Sequence, residues 1–339
     1  MLVLGIETSC DETAVALVED GVRVRSNVIG SQVDVHRPFG GVVPEIAARA
    51  HLEMLLPAVD RALVEAGATY ADLEGVAVTA GPGLVGALLV GVAGAKSIAL
   101  AHDLPFIGVN HLEGHVCATQ LEYGLLDPPL LALIVSGGHT SLVRLDASGT
   151  FSTIGATIDD AAGEAFDKVA RFLGLPYPGG PEIDQLSRTG DPTAIAFPRA
   201  MLGDGTYDFS MSGLKTAVIR ELRRRDAADE EIVLSDVAAS FTEAIVDVLV
   251  AKTLDAAAAE DIGTVTLVGG VAANTRLREA MTDGCARTGR RLLLPQPVLC
   301  TDNGAMIAAA GFNRLVAGQR TPLDLDADPG LGFSPLART

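Results

Sequence analysis

The chain has 339 residues, 48% of them apolar, with 25 Lys and Arg against 43 Asp and Glu, a formal net charge of −18. The length fits one large or two medium domains with substantial cores. So acidic a surface repels nucleic acid and anionic membranes in general, so an RNA or membrane partner needs a local basic patch or a helper protein. Aromatic residues are 4% with no Trp, which argues against a stack of aromatic side chains on bases.

The chain opens with a strand at Leu2 to Glu7, a turn through Thr8-Ser9-Cys10-Asp11-Glu12, and a second strand at Thr13 to Val18. Asp20-Gly21 turns into a third strand at Val22 to Ile29. A long helix from about Pro44 to Ala66, a strand at Gly75 to Thr79, a helix near Val85 to Ala101 and a strand at Phe106 to Val109 follow. The apolar stretch Leu84 to Leu100 is broken by Gly, Ala and Lys96 and reads as a buried helix, not a membrane span. After Tyr123 to Pro129, the expected junction, the pattern repeats. Strands at Leu130 to Val135, Thr140 to Leu145 and Thr150 to Thr157 precede helices at about Asp160 to Leu173, Pro181 to Thr189, Ser212 to Arg225 and Leu234 to Glu260. A strand at Thr264 to Val268, a helix at Ala272 to Thr288, a strand at Arg291 to Leu294 and a helix at Asp302 to Ala317 complete it. Asp191 to Asp208 reads as a loop or lid. Three strands, then helices alternating with strands, occur twice. The expected division is 1–122, 130–300 and a final helix and tail, 301–339, packing back on the first part, with two similar halves around a cleft. The plain alternative is two ordinary α/β domains.

Several turns carry chemistry. His111-Leu112-Glu113-Gly114-His115 places two imidazoles four apart on one helix face, within reach of one ion. Asp302, in Cys300-Thr301-Asp302-Asn303-Gly304, is the best remaining carboxylate to join them. Two imidazoles and a carboxylate suit Fe(II), or Zn(II) with an open position. The plain readings are core histidines and an N-cap. Thr8-Ser9 with Asp11 and Glu12 sets hydroxyls, amides and two carboxylates in one hairpin. Ser136-Gly137-Gly138-His139-Thr140 is a second hairpin able to turn N–H groups toward an anion. Gly269-Gly270 through Asn274 follows a strand and opens a helix, but is neither a P-loop nor GxGxxG. Asp167 and Asp184 are placed to receive ribose hydroxyls or an amine, or else lie on solvated helix faces. Arg220, Arg223, Arg224 and Arg225 with Lys215 form the best basic patch, or another solvated face. The four cysteines form no CxxC pair and read as reduced thiols in a cytosolic chain without a signal peptide.

The runs GIETSCDET, GGVVPE, TAGPGLVGALLVG, HLEGH, VSGGHT, DDAAGEAFDK, YPGGP, FSMSGLK, GGVAAN and CTDNGAM occur in order from residue 5 to residue 306. Together they resemble the TsaD family, formerly called O-sialoglycoprotein endopeptidase, over nearly the whole chain. The resemblance implies an α/β, actin-like ATPase fold with two similar βββαβα subdomains. It implies an acyltransferase that completes threonylcarbamoyladenosine (t6A) in tRNA, 3′ of the anticodon in tRNAs reading codons that begin with A. The donor implied is threonylcarbamoyl-AMP, and AMP is released. It further implies one divalent metal, Fe(II) before Zn(II), on His111, His115 and Asp302. Ile134, Val135, Ser136, Gly137, Gly138, Asp167, Gly180, Asp184 and Asn274 are implied to hold the adenylate. Asp11 or Glu12 is our candidate for accepting the amine proton. Relatives of this kind work with a TsaB-like paralogue and a TsaE-like ATPase, without a membrane; the helices around Glu45 to Leu63 and after Gly83 are candidate docking surfaces. Two alternatives are a small-molecule kinase of the same fold, which needs no His pair, and a metalloprotease, for which HExxH is missing.

Overall fold

A computed structural model describes residues 1–333. The described residues divide into two compact units, 1–127 with 298–333, and 128–297; the end of the expected tail, 334–339, lies outside the described residues.

In the first unit, β1 (Leu2–Glu7), β2 (Glu12–Glu19), β3 (Arg23–Ser31), β4 (Gly75–Gly81) and β5 (Phe106–Asn110) form one sheet in the order β3-β2-β1-β4-β5. β1 pairs antiparallel with β2 (Gly5 opposite Ala16) and parallel with β4. Short α1 (Val33–His36) precedes α2 (Pro44–Ala66), which has Pro at its first position and ends on Gly67 at φ +63°. With α3 (Val85–His102), α2 buries Leu55, Val59, Val92 and Ile98 against Leu4, Ile6, Val76 and Val78. By length and hydropathy α3 is apolar enough to cross a membrane, but Leu88, Val92, Ala95 and Ile98 are buried within the unit. α4 (His111–Ala118) and α5 (Gln120–Tyr123) close this part of the chain.

The second unit repeats the plan. β6 (Leu130–Val135), β7 (Thr140–Leu145), β8 (Phe151–Ala156), β9 (Thr264–Val268) and β10 (Arg291–Leu293) pair in the order β8-β7-β6-β9-β10, the first sheet's order strand for strand. Its helices are α6 (Ala162–Phe172), α7 (Gly179–Ser187), α8 (Ser212–Ala227), α9 (Leu234–Ala259) and α10 (Thr275–Thr288). The stretch expected as one helix from Ala272 begins as a 3-10 turn, Gly270–Ala273, and α10 starts anew at Thr275. The break lets Asn274 serve as the cap: its side chain accepts from Leu277 N.

The chain returns to the first unit through α11 (Pro297–Cys300) and α12 (Gly304–Val316). Alternate strand residues face opposite sides of a sheet. Leu4 and Ile6 point into the α2–α3 core, so Gly5 faces the other way. A Cβ on Gly5 would collide with Gly304 O and Ala308 N, and one on Gly304 would lie 2.5 Å from Ala16 N. Small residues on both partners thus let α12 lie almost backbone-to-backbone on β1 and β2. That approach sets where the residues just before α12 stand. All four cysteines are free thiols.

Candidate metal centre and nucleotide cradle

β5 ends on Asn110, whose side-chain oxygen accepts from Leu112 N (2.8 Å) and Glu113 N (3.3 Å) and starts α4. His111 and His115 therefore leave one face of α4, ring centroids 4.7 Å apart. The plain alternative for Asp302, an N-cap of the last helix, does not hold: the cap is Asn303, bonding Met306 N at 2.9 Å. Asp302 is thereby left outside the helix. Its Oδ1 lies 3.2 Å from His115 Nε2 and 3.6 Å from His111 Nε2. Donor atoms of the three residues all fall within 4.8 Å of one another.

His115 is fully buried, and neither ring nitrogen makes a hydrogen bond among the described residues. A buried polar group without a partner costs about 1–3 kcal/mol, which a cation at this point would relieve. The donor set, two imidazoles and a carboxylate, fits such an ion.

Glu7, at the end of β1, is fully buried behind His111. Its Oε2 is 3.0 Å from His111 Nδ1 and accepts from Thr79 Oγ1 at 2.6 Å, while Ser9 N bonds Oε1. Burial raises the Glu7 carboxyl, but the His111 charge and hydrogen bond outweigh it and hold the group below its ordinary value. Burial likewise lowers His111, yet Glu7 and Asp302 push it up to about 9. With Nδ1 held by Glu7, Nε2 is the nitrogen turned to Asp302, the arrangement by which a carboxylate fixes a metal-binding histidine. Glu7 belongs to none of the motifs singled out in the sequence; its one signal there is a carboxylate closing an otherwise apolar strand, LVLGIE.

The turn carrying Asp11 and Glu12 is pinned from α2. Buried His51 meets Thr13 Oγ1 at 2.7 Å and Cys10 O at 3.0 Å. The Glu12 carboxyl is pushed up to about 10, first by burial and then by the charges of Asp302, Asp11 and Glu7. The acidic turn is thus coupled by charge to Asp302. Glu113 does not join them: Arg314 takes both its oxygens.

In the second unit the selected turns meet each other. Ser136 N donates to His139 O (2.8 Å), and Gly163 N to Ser136 O (3.1 Å). A Cβ on Gly163 would lie 2.6 Å from Ser136 O, and one on Gly269, at φ +93°, would strike Val135 O. The β6–β7 hairpin, the start of α6 and the turn after β9 are therefore packed together. Gly137, Gly138, Gly180 and Gly270 face open space. Ile134 and Val135 are fully buried in β6 and bring only their backbone. Asp167 Oδ1 accepts from Gly179 N at 2.7 Å. Asp184 accepts from Thr275 N at 2.8 Å and from Arg188 at 2.7 Å. Asp167, Asp184 and Asn274 thus each make hydrogen bonds that hold these turns and helix ends in place, a role their positions in sequence do not show.

The basic patch is smaller than expected. Arg224 pairs with Glu221 and Glu230 and Arg225 with Glu221, which leaves Lys215, Arg220 and Arg223.

Solved structures with this arrangement are proteins of the actin-like ATPase fold. Full-length HypF in its phosphate- and nucleotide-bound form superposes with a TM-score of 0.61 at 15% identity, over 94% of this chain and 47% of that one. The activator of 2-hydroxyisocaproyl-CoA dehydratase from Clostridium difficile, with bound ADPNP, gives 0.54 at 14% identity, over 94% and 97%. At such identities the likeness concerns the fold. The family is set by sequence: the description "TsaD: tRNA N6-adenosine threonylcarbamoyltransferase" matches residues 23–309. The chain is 55% identical to the tRNA N6-adenosine threonylcarbamoyltransferase of Geobacillus thermodenitrificans over 97% of this chain and 96% of that one, and 54% identical to that of Symbiobacterium thermophilum over 98% and 97%. The chain belongs to the TsaD family of tRNA N6-adenosine threonylcarbamoyltransferases.

Proposed function

We propose that the chain transfers the threonylcarbamoyl group of threonylcarbamoyl-AMP to N6 of the adenosine 3′ of the anticodon, releasing AMP, in the cytoplasm. The observation that carries the reading is the His111–His115–Asp302 group around a fully buried imidazole, in a chain of this family. His111, His115 and Asp302 hold a divalent cation, Fe(II) in our reading; when bound, it supplies positive charge where the carbonyl oxygen becomes negative. Glu7 keeps His111 in the tautomer that offers Nε2. The adenosine amine attacks the carbamoyl carbon, the bond to the phosphate oxygen breaks, and Asp11 takes the amine proton; Glu12, pushed up to about 10, already holds a proton at neutral pH. Because the amine is a weak nucleophile, positioning supplies much of the acceleration.

The hairpin Ile134 to Gly138, with Asp167, Gly180, Asp184 and Asn274, holds the adenylate. Asp167→Ala should weaken adenylate binding by roughly 5- to 150-fold, the loss of about 1–3 kcal/mol of hydrogen bonding. Asn274→Ala also removes a helix cap and should lower melting; Asn274→Asp keeps the cap and isolates the ligand contact. Calorimetry with AMP reads both. Unchanged affinity in Asp167→Ala and Asn274→Asp would leave these side chains as structural only.

The protease alternative loses its base, because Glu113 is held by Arg314. With a net charge of −18, the isolated chain should bind tRNA weakly and turn over poorly until a TsaB-like paralogue and a TsaE-like ATPase are supplied. Leu52 and Leu56 on α2 and Leu89 on α3 are exposed and form the docking face in this reading. Reversing Arg220 and Arg223 should lower tRNA affinity and flatten its salt dependence by about one unit per lost phosphate contact. An unaltered slope would remove α8 from the RNA surface, and full activity of the isolated chain would remove the partners.

A further inference from the structure

Glu113 sits between the two histidines yet has no part in the chemistry proposed above. Two helical residues amount to about 200° of rotation, so its side chain leaves α4 on the side away from both imidazoles. There it is buried, and the Arg314 guanidinium grips it with Nε at 2.9 and 3.0 Å and Nη2 at 2.5 Å. Arg314 belongs to the last turn of α12, the helix that Asp302 precedes. Between these ends the helices touch at Gly114, where a Cβ would lie 2.7 Å from Ile307 Cδ1. Asn313 donates to Gln120 Oε1 at 3.0 Å further along.

The two ligand-bearing elements therefore meet at Gly114, which lacks a side chain, through Asn313 Nδ2 at 3.5 Å from Cys117 Sγ, and through one planar, two-point ion pair. Gly114 permits close approach but does not index rotation of α4 about its axis. His115 meets Asp302 Oδ1 at 3.2 Å, a contact at a single atom that leaves rotation free. A bidentate guanidinium–carboxylate pair has essentially one geometry and does index it. We propose that Glu113 and Arg314 are positioning residues for the metal centre: their pair sets the rotation of α4 against α12 so that both imidazoles face Asp302. The proposal rests on the metal reading above.

The test compares metal affinity with folding, using Zn(II) and Fe(II) in competition with a chromophoric chelator on the full chain, beside thermal melting. Arg314→Lys keeps the charge and loses the fork. Glu113→Leu with Arg314→Met removes the pair without stranding a buried charge, an exchange that is often neutral for stability. Both variants should melt near the unsubstituted chain and bind metal 10- to 100-fold more weakly, as loss of a supporting residue does. Wild-type affinity in a folded variant of either kind overturns the proposal and leaves the metal reading intact. If the double variant does not fold, Arg314→Lys decides alone by the same criterion. Failure of the unsubstituted chain to take up more metal than a His111→Ala, His115→Ala control overturns the metal reading and the proposal together.

Discussion

Alanine at His111, His115 or Asp302 is expected to take bound metal from one ion per chain to near zero and to abolish t6A formation. Three donors leave no redundancy, and Asp302 approaches both imidazoles with the same oxygen. Stability should separate from activity in these variants. Metal-free, the unsubstituted chain carries a buried imidazole without a hydrogen bond, at about 1–3 kcal/mol. His115→Ala removes that group along with its packing, so its metal-free melting should stay within a few degrees of the unsubstituted chain, whereas the melting increment on adding metal should vanish. Metal analysis and paired melts with and without chelator measure both quantities. Stoichiometric metal in a His111→Ala, His115→Ala double variant would refute the ligand assignment.

Gly5→Ala is expected to be the most disruptive single methyl in the first unit. The added carbon meets backbone on α12, Gly304 O and Ala308 N, which cannot rotate away as a flexible side chain can. Overpacking of this kind costs about 3 kcal/mol or more, roughly 6–12 °C of melting temperature. Since α12 can relieve the clash only by lifting from the sheet, Asp302 should shift with it, and metal affinity should fall even in protein that remains folded. Gly41→Ala is the control: a Cβ there meets nothing within 4 Å. Equal melting of the two variants would show that α12 tolerates displacement.

The strands and long helices were legible because their periodicity is local. Leu2 to Glu7, Leu130 to Val135 and Pro44 to Ala66 end where turn and cap residues predict, and the doubled order of strands follows from the repeat. Local pattern also placed the two imidazoles on one helix face. What stayed hidden depends on partners far along the chain. Glu7 finds His111 across 104 positions and Glu113 finds Arg314 across 201, and neither pair has a periodic signature. His51 looked like one more residue of a long helix until the fold laid it under the acidic turn. The choice between Asp302 and Asn303 as the cap is a one-residue boundary, the least determinate feature of any helix. The neutralised patch on α8 is different: Glu221 stands three and four residues before Arg224 and Arg225, an ion-pair spacing visible in the sequence.

The most direct test incubates the chain with synthetic threonylcarbamoyl-AMP, an unmodified tRNA reading a codon that begins with A, a TsaB-like paralogue, a TsaE-like ATPase with ATP, and Fe(II), followed by mass spectrometry of the digested nucleosides. The account predicts threonylcarbamoyladenosine at the position 3′ of the anticodon, AMP released in equal amount, and neither product with the His111→Ala, His115→Ala variant. Donor left intact and tRNA unmodified, with every component present and the chain folded, would contradict it.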